Sequence, residues 1–397
     1  MAVATRAWTD PALLAAPAAQ QETVGVYIHV PFCARLCPYC DFDTQDHDLQ
    51  LLSPYAEALV REVGLAPEAR AHSIFFGGGT PSLLGPAQLG AVLAACRERF
   101  ALEAGCEIAV ECNPNNVREA RLAGYRAAGV NRLSLGVQSM DDAELRLLGR
   151  QHTAERVRQA VATARAVGFD DLSLDLMYGL PGQSVAAWER TLDAALALAP
   201  EHLSCYLLTL DEGTSMGQQV ARGELVLPDD ELVAAQYELT RGRLAAAGLR
   251  QYEISNWARP GHESRHNLGY WRAEPYLGLG PGAVACQGGV RRKQTPDVGE
   301  YLAAIASGRQ RFVEEEALDA ATQRREALML GLRLRAGVDA EAYRARFGCR
   351  IEDVCGPALG ELEALGMVEW ADRRLRLTEQ ALLVSNEVLV RLGAAGG

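Results

Sequence analysis

Three cysteines near the start of the chain carry the clearest chemistry in the sequence. Cys33, Cys37 and Cys40 lie within YIHVPFCARLCPYCDF, residues 27–42, at a CxxxCxxC spacing. Three thiolates so close together can bind three corners of a [4Fe–4S] cube, whereas clusters that only transfer electrons normally take four cysteines. The fourth iron then has no protein ligand. The motif therefore predicts a cluster with one iron that is open to a small molecule.

A structural zinc site is the main alternative for these three cysteines. His29 precedes them and could complete a Cys₃His set, which is common in zinc sites. Zinc sites usually take a second ligand pair from further along the chain, and no such pair follows this compact cluster. We therefore favour iron and sulfur, and we interpret His29 as a structural residue that orients the cysteine loop.

The composition is that of an acidic globular protein. The sequence has 397 residues, with 39 Lys and Arg against 51 Asp and Glu, which gives a formal net charge of −12. This balance disfavours nucleic acid as the main partner. No secretory leader pattern opens the chain, so its ten cysteines favour a reducing, cytoplasmic compartment over disulfides. Residues 1–22 are predicted to form a disordered tail.

Six strand–helix units must position the cysteines and whatever binds beside them. Short apolar runs alternate with amphipathic helical stretches, which predicts a parallel sheet with right-handed crossovers. Six strands are fewer than a closed eight-stranded barrel needs, so the predicted fold class is α/β with a partial, open (β/α)6 barrel. The predicted strands are Val24–Val30, Ser73–Phe76, Glu107–Glu111, Arg132–Gly136, Leu172–Leu176 and Leu203–Leu208.

Two further regions are predicted to follow a barrel over residues 23–250. Residues 251–320 read as an irregular linking region that is rich in Gly and aromatic residues. Residues 321–394 read as a smaller C-terminal domain, in which a helix over Ile351–Leu365 precedes a hairpin, as in winged-helix domains. Winged helices often bind nucleic acid, but the acidic balance favours a protein-packing role as strongly.

Polar residues follow strands two to five of the predicted sheet. Gly77–Thr80 ends the second strand, Glu111 the third and Asp175 the fifth, while Gln138 follows the fourth. Ligands bind at the carboxyl ends of parallel strands, so these residues are expected at one rim. Each residue taken alone is more typical of a turn or a cap. Together with an open iron, they favour a small zwitterion that binds iron through its amine and carboxylate.

These motifs resemble those of the radical S-adenosylmethionine (SAM) superfamily. More narrowly, YIHVPF, ECNP, LSLGVQS and DLMYGLPGQ resemble the branch that holds the oxygen-independent coproporphyrinogen III oxidases and the heme chaperones. The resemblance covers the chain from about Thr23 and includes its C-terminal domain. It implies a [4Fe–4S] cluster and SAM as cofactors and, in the chaperones, heme.

The resemblance also implies a role for each matching residue. Cys33, Cys37 and Cys40 would ligate the cluster, and no residue is assigned a catalytic role. The implied SAM contacts are Tyr27, Tyr39, Gly78, Gly79, Thr80, Glu111, Gln138, Arg150 and Asp175.

Two features separate the chaperones from the oxidases. Oxidase-like members continue with a further cysteine two positions after the third, where this chain has Phe42. Residues 266–271, HNLGYW, match the HNxxYW pattern of the chaperones, and a neutral His266 in a loop could ligate heme iron axially. The alternative is a histidine satisfied by hydrogen bonds, with Tyr270 and Trp271 as core anchors.

The sequence thus predicts a heme chaperone that passes heme to an acceptor protein. It would carry the cluster and exchangeable SAM, and a homodimer is conceivable. An oxygen-independent coproporphyrinogen III oxidase is the alternative, so enzymatic activity stays open at this point. A zinc-stabilised interaction protein is the third possibility.

Overall fold

The structure is a computed structural model that describes residues 22–41 and 49–394 of the chain. Phe42 and the predicted tail up to residue 21 lie outside the described residues. Within these ranges, no helix has both the length and the apolar character needed to cross a bilayer.

Six parallel strands form the centre of the fold and lie side by side in chain order. They are β1 (Thr23–Val30), β2 (Arg70–Gly78), β3 (Ala101–Cys112), β4 (Arg132–Gln138), β5 (Leu172–Tyr178) and β6 (His202–Leu207). The helices between them are α1 (Leu52–Leu65), α2 (Pro86–Arg99), α3 (Glu119–Ala127), α4 (Asp142–Leu147), α5 (Ala154–Val167) and α6 (Val185–Leu196). The predicted open α/β architecture is confirmed.

The sheet continues past these strands on both sides, to twelve strands among the described residues. After α7 (Ser215–Ala221) and α8 (Asp230–Ala246), the hairpin of β7 (Arg250–Glu253) and β8 (Asn256–Ala258) pairs with β6. On the other side of the six strands, β9 (Tyr276–Leu279) pairs with β1 in parallel. Beyond it lie β10 (Val284–Gln287), β11 (Val290–Gln294) and β12 (Phe312–Ala317), each antiparallel to the strand before it.

The prediction of an irregular stretch over this part of the chain was therefore wrong. Its strands are short, and glycines with positive φ, such as Gly280, Gly282, Gly288 and Gly289, separate them. Strands this short give no run of alternating residues long enough to recognise.

The end of the chain forms a winged-helix-like unit, as predicted. A separate antiparallel sheet has the order β13 (Val338–Asp339), β15 (Arg374–Leu377), β14 (Val368–Ala371). The helices of this unit are α11 (Ala320–Gly331), α12 (Ala340–Phe347), α13 (Ile351–Cys355), α14 (Pro357–Ala364) and α15 (Ser385–Ala394), whereas α10 (Val298–Ala306) connects β11 to β12. The single predicted helix over Ile351–Leu365 is two helices, because Gly356 adopts a φ of +57° that breaks it and Pro357 starts the next one.

A buried carboxylate joins the barrel to the added strands. Glu62 of α1 is fully buried and accepts hydrogen bonds from the Gly280 amide (2.8 Å), Gln294 Nε2 (2.9 Å), Tyr301 Oη (2.8 Å) and Gln310 Nε2 (2.9 Å). Four donors compensate much of the cost of burying a carboxylate. The extension is thus fixed beside β1, at the edge of the barrel where the cysteine loop begins.

Candidate functional site

The residues predicted for the site all line one cavity of about 520 Å³ at the carboxyl ends of the parallel strands. The cavity brings together side chains from β1 to β5, from the cysteine loop and from the segment after β8. Its lining includes Tyr27, Cys33, Cys37, Tyr39, Cys40, Gly78, Gly79, Thr80, Glu111, Gln138, Arg150, Asp175 and His266.

The cysteine loop presents three half-buried thiols to this cavity. Thr80 Oγ1 lies 3.6 Å from Cys33 Sγ and donates to it, and Arg150 Nη1 lies 3.6 Å from Cys37 Sγ. Burial raises the pKa of the Cys33 thiol, and the neighbouring thiols Cys40 and Cys37 raise it further. The Thr80 hydroxyl and the Arg150 guanidinium oppose that rise, so both stabilise sulfur in the charged form that binds iron.

The three thiols offer a ligand set that suits an iron–sulfur cube, in which each cysteine binds its own iron. Structural zinc instead requires four ligands on one ion. The Nδ1 of His29 is hydrogen-bonded to Tyr27 Oη at 2.9 Å.

Two glycines let the second strand approach the cysteine loop. A Cβ at Gly79 would lie 2.7 Å from the Phe32 carbonyl oxygen and 3.0 Å from Cys33 Sγ. Gly78 has a φ of +105°, and a Cβ there would lie 2.6 Å from the His29 ring. Side chains at either position would push the loop away from the cavity, which explains the glycines physically.

Two carboxylates lie deeper in the cavity. Burial and the neighbouring charge of Asp175 raise the pKa of Glu111 to about 8, although the Gly78 amide donates to it. Burial also raises the pKa of Asp175, against three serine hydroxyls that donate to it. These are Ser134 (2.8 Å), Ser173 (3.3 Å) and Ser204 (2.7 Å). A cationic or hydroxyl-bearing ligand would return both carboxylates to their charged form.

Arg150 brings a positive charge into the same cavity, beside Cys37. Its Nη2 donates to the Gly136 carbonyl at 2.9 Å, while its buried Nε has no hydrogen-bond partner among the described residues. Gln138 lies beside it at a bulge of β4 and has a φ of +66°, which is rare for a residue other than glycine. The cavity thus combines an anion-binding group near the thiols with two carboxyl groups that can bind a cation, which suits a zwitterion.

His266 lies in helix α9 (Arg265–Trp271), not in the predicted loop. Its ring is almost fully buried and stacks on Phe75, with centroids 5.0 Å apart and planes at 15°. Nδ1 is hydrogen-bonded to Ser73 Oγ (2.9 Å) and Nε2 to Tyr270 Oη (3.0 Å). Burial and the nearby His72 lower its pKa to about 3, so the ring is neutral. Both nitrogens are satisfied here, and an iron would reach Nε2 only if the Tyr270 hydroxyl moved away.

A buried ion pair holds this helix, and the sequence analysis missed it. Glu107 of β3 accepts hydrogen bonds from the backbone amides of Arg265 and His266, both at 3.1 Å. Arg132 of β4 lies 3.7 Å from Glu107 and also pairs with Asp171 at 3.2 Å. The sequence signal was present, since a charged residue at an otherwise buried position of a strand normally has a partner.

The serines around Asp175 were also missed. A Leu–Ser pair lies at or near the start of three adjacent strands, β4, β5 and β6. The pairs are Leu133–Ser134, Leu172–Ser173 and Leu203–Ser204. The repeated pair on three adjacent strands could have indicated a cluster of hydroxyls, since Ser134 is in register with Ser173 and Ser204 with Asp175.

Comparison with known proteins identifies the family. The family model described as Radical SAM superfamily matches residues 27–195, and the one described as HemN C-terminal domain matches residues 318–384. A Mycobacterium tuberculosis (strain H37Rv) protein named Heme chaperone HemW is 38% identical over 377 residues, covering 93% of this chain and 94% of the relative. A Bacillus subtilis (strain 168) protein of the same name is 36% identical over 367 residues, covering 91% and 97%.

A solved structure shows the same fold over nearly the whole chain. Coproporphyrinogen III oxidase (HemN) from Escherichia coli, a radical SAM enzyme, matches with a TM-score of 0.81 at 23% sequence identity. The match covers 94% of this chain and 90% of that chain, so it includes the C-terminal unit. This match shows the fold, and the two HemW relatives, at 38% and 36% identity over 93% and 91% of the chain, show the family: the chain belongs to the HemW family of the radical SAM superfamily.

Proposed function

We propose that the protein binds heme and passes it to an acceptor protein in the cytoplasm. The observation that carries the proposal is the 36–38% identity, over nine tenths of the chain, to two proteins named heme chaperones. Two sequence features support it, namely the HNLGYW motif and Phe42 in place of the further cysteine of oxidase-like proteins. A homodimer is compatible with this proposal, and nucleic acid is not expected as a partner.

The cluster and SAM form the second part of the proposal. Cys33, Cys37 and Cys40 would ligate the [4Fe–4S] cluster, and SAM would exchange at its open iron. The hydrogen-bond donors on Cys33 and Cys37 support the first role. The Arg150 guanidinium and the Glu111 carboxyl, which a cationic ligand would return to its charged form, support the second. When bound, the cluster supplies redox sensitivity at the rim of the cavity. The remaining contacts proposed for SAM are Tyr27, Tyr39, Gly78, Gly79, Thr80, Gln138 and Asp175.

His266 is the proposed axial ligand of heme iron. Its ring lines the cavity and is neutral, as a metal-binding imidazole must be. Ser73 Oγ is placed to accept a hydrogen bond from Nδ1, which would leave the lone pair on Nε2. Histidines that bind metals commonly donate their other ring nitrogen in this way. Cys286, which is half-buried in β10, is the alternative ligand in this part of the chain.

The test is a comparison of heme binding with oxidase activity on one anaerobic preparation. Titration with hemin should saturate and give a shifted Soret band, while anaerobic incubation with coproporphyrinogen III should give no protoporphyrinogen IX. Robust formation of protoporphyrinogen IX would overturn the chaperone proposal in favour of the decarboxylating oxidase. A colourless protein without iron or sulfide would instead support a zinc-stabilised interaction protein.

A further inference from the structure

We propose that heme and SAM are alternative occupants of the one cavity, and that the Tyr270 hydroxyl sets how readily heme iron reaches His266. This inference rests on the proposed function. It adds a regulatory link between the two ligands, in which SAM favours release of heme and heme favours release of SAM.

The first argument is that the volume of the cavity limits how many ligands it can hold at one time. The residues proposed for SAM and the one proposed for heme line the same space, which measures about 520 Å³. A pocket of this size encloses a single drug-sized ligand. SAM is a ligand of that class, and the heme macrocycle is larger. A heme that reaches His266 through the cavity would therefore fill the volume that SAM needs.

The second argument is the short path between the two sets of residues. Tyr27, proposed for SAM, stacks on Phe75 with centroids 6.3 Å apart and planes at 21°. Phe75 stacks in turn on His266, and Tyr27 itself lies 6.2 Å from His266 at 26°. The three rings form one wall. A flat ligand that stacks on one of these rings blocks the access of a second ligand to the other two rings.

The third argument is that one side chain faces both ligand positions. Tyr270 lines the cavity and its hydroxyl is hydrogen-bonded to His266 Nε2 at 3.0 Å. That bond occupies Nε2, so the hydroxyl must move away before iron can bind this nitrogen. Tyr270 lines the cavity together with Glu111, a proposed SAM contact, so one side chain borders the proposed SAM site and covers the nitrogen that heme iron requires.

A heme titration with and without SAM tests the shared cavity. Cluster-loaded protein is titrated with hemin under anaerobic conditions, and the Soret change is read against the same protein without heme. SAM at ten times its own Kd should raise the apparent Kd for heme about tenfold, as mass action requires of competing ligands. A heme Kd that is unchanged by saturating SAM would overturn the inference and leave the proposed function intact. Absence of heme binding at any SAM concentration would overturn both.

Tyr270→Phe tests the role of the hydroxyl. The variant keeps the ring and removes the bond that covers Nε2, so heme binding should become about two- to tenfold tighter, the equivalent of one net hydrogen bond. Tyr276→Phe is the matched control, because Tyr276 packs edge-on against Tyr270 with centroids 4.8 Å apart and its hydroxyl has no bond to His266. A purely structural role would weaken binding in both variants. Weaker or unchanged heme binding in Tyr270→Phe would contradict the proposal.

Discussion

The cysteine loop depends on small residues as much as on its thiols. Thr80 and Arg150 direct donors at two of the sulfur atoms, and Gly79 leaves the room in which Cys33 lies. The loop is therefore supported by residues outside it, which follow β2 and α4 in the chain. Such supporting residues commonly decide whether a metal site forms.

Gly79→Ala should lower the amount of cluster that the protein retains. The added Cβ would approach the Phe32 carbonyl and Cys33 Sγ closely, and overpacking of this kind typically costs about 1–3 kcal/mol. Iron and sulfide are quantified after anaerobic reconstitution. Gly64→Ala is the control, since no atom lies within 4 Å of a Cβ in that helical position and the change should stabilise the protein by about 0.5–1 kcal/mol. Equal cluster content in both variants would show that Gly79 has no such role.

Glu111 should make the stability of the ligand-free protein fall as pH rises. Its carboxyl has an ordinary pKa of 4.5 when unfolded and about 8 when folded, so the folded state holds the proton more tightly. The contribution is therefore fully present below pH 4.5 and is lost as pH rises through about 8. Thermal unfolding of Glu111→Gln from pH 5 to 9 should show a flatter decline than the unchanged protein. Parallel curves would mean that Glu111 is not the responsible group.

At the scale of elements, the secondary structure of helix α9 was predicted least accurately from the sequence. HNLGYW was predicted to be a loop, yet Ser264 caps a helix there and Glu107 accepts from its first two amides. The motif is short, and the residue that stabilises the helix lies far away in the sequence.

Residues at the ends of the parallel strands were easier to place from the sequence than helix α9. Glu111, Gln138 and Asp175 reached one cavity as expected, because parallel strands in chain order bring their carboxyl ends together.

Glu107→Ala should destabilise the protein by about 3 kcal/mol, the usual cost of removing one partner of a buried ion pair. The substitution would remove one of the carboxylates that pair with the buried Arg132. It would also leave two backbone amides of α9 without their hydrogen-bond acceptor. Urea unfolding measures the change. Glu103→Ala on the same strand is the control, because its pair with Arg70 is partly exposed at 3.8 Å and should contribute less than about 1 kcal/mol. Equal losses in the two variants would contradict this account.

At the scale of the whole molecule, one cavity takes residues from both the barrel and the segment that follows it. The six central strands could be predicted from their apolar runs, whereas the added strands could not, since β7 to β11 have only three to five residues and glycines separate β9, β10 and β11. These added strands matter for function because the segment between β8 and β9 carries His266 into the wall of the cavity. The proposed heme ligand and the cysteine motif are thereby joined in one site.

The most direct measurement is iron, sulfide and heme quantified on a single anaerobic sample of the unchanged protein and of His266→Ala. The account predicts that both samples retain cluster iron and sulfide and that only the variant loses heme. His152→Ala is the control, because His152 is also buried and hydrogen-bonded, to the Val137 carbonyl at 3.0 Å, but does not line the cavity. Unchanged heme content and spectrum in His266→Ala would contradict the account and move the ligand elsewhere.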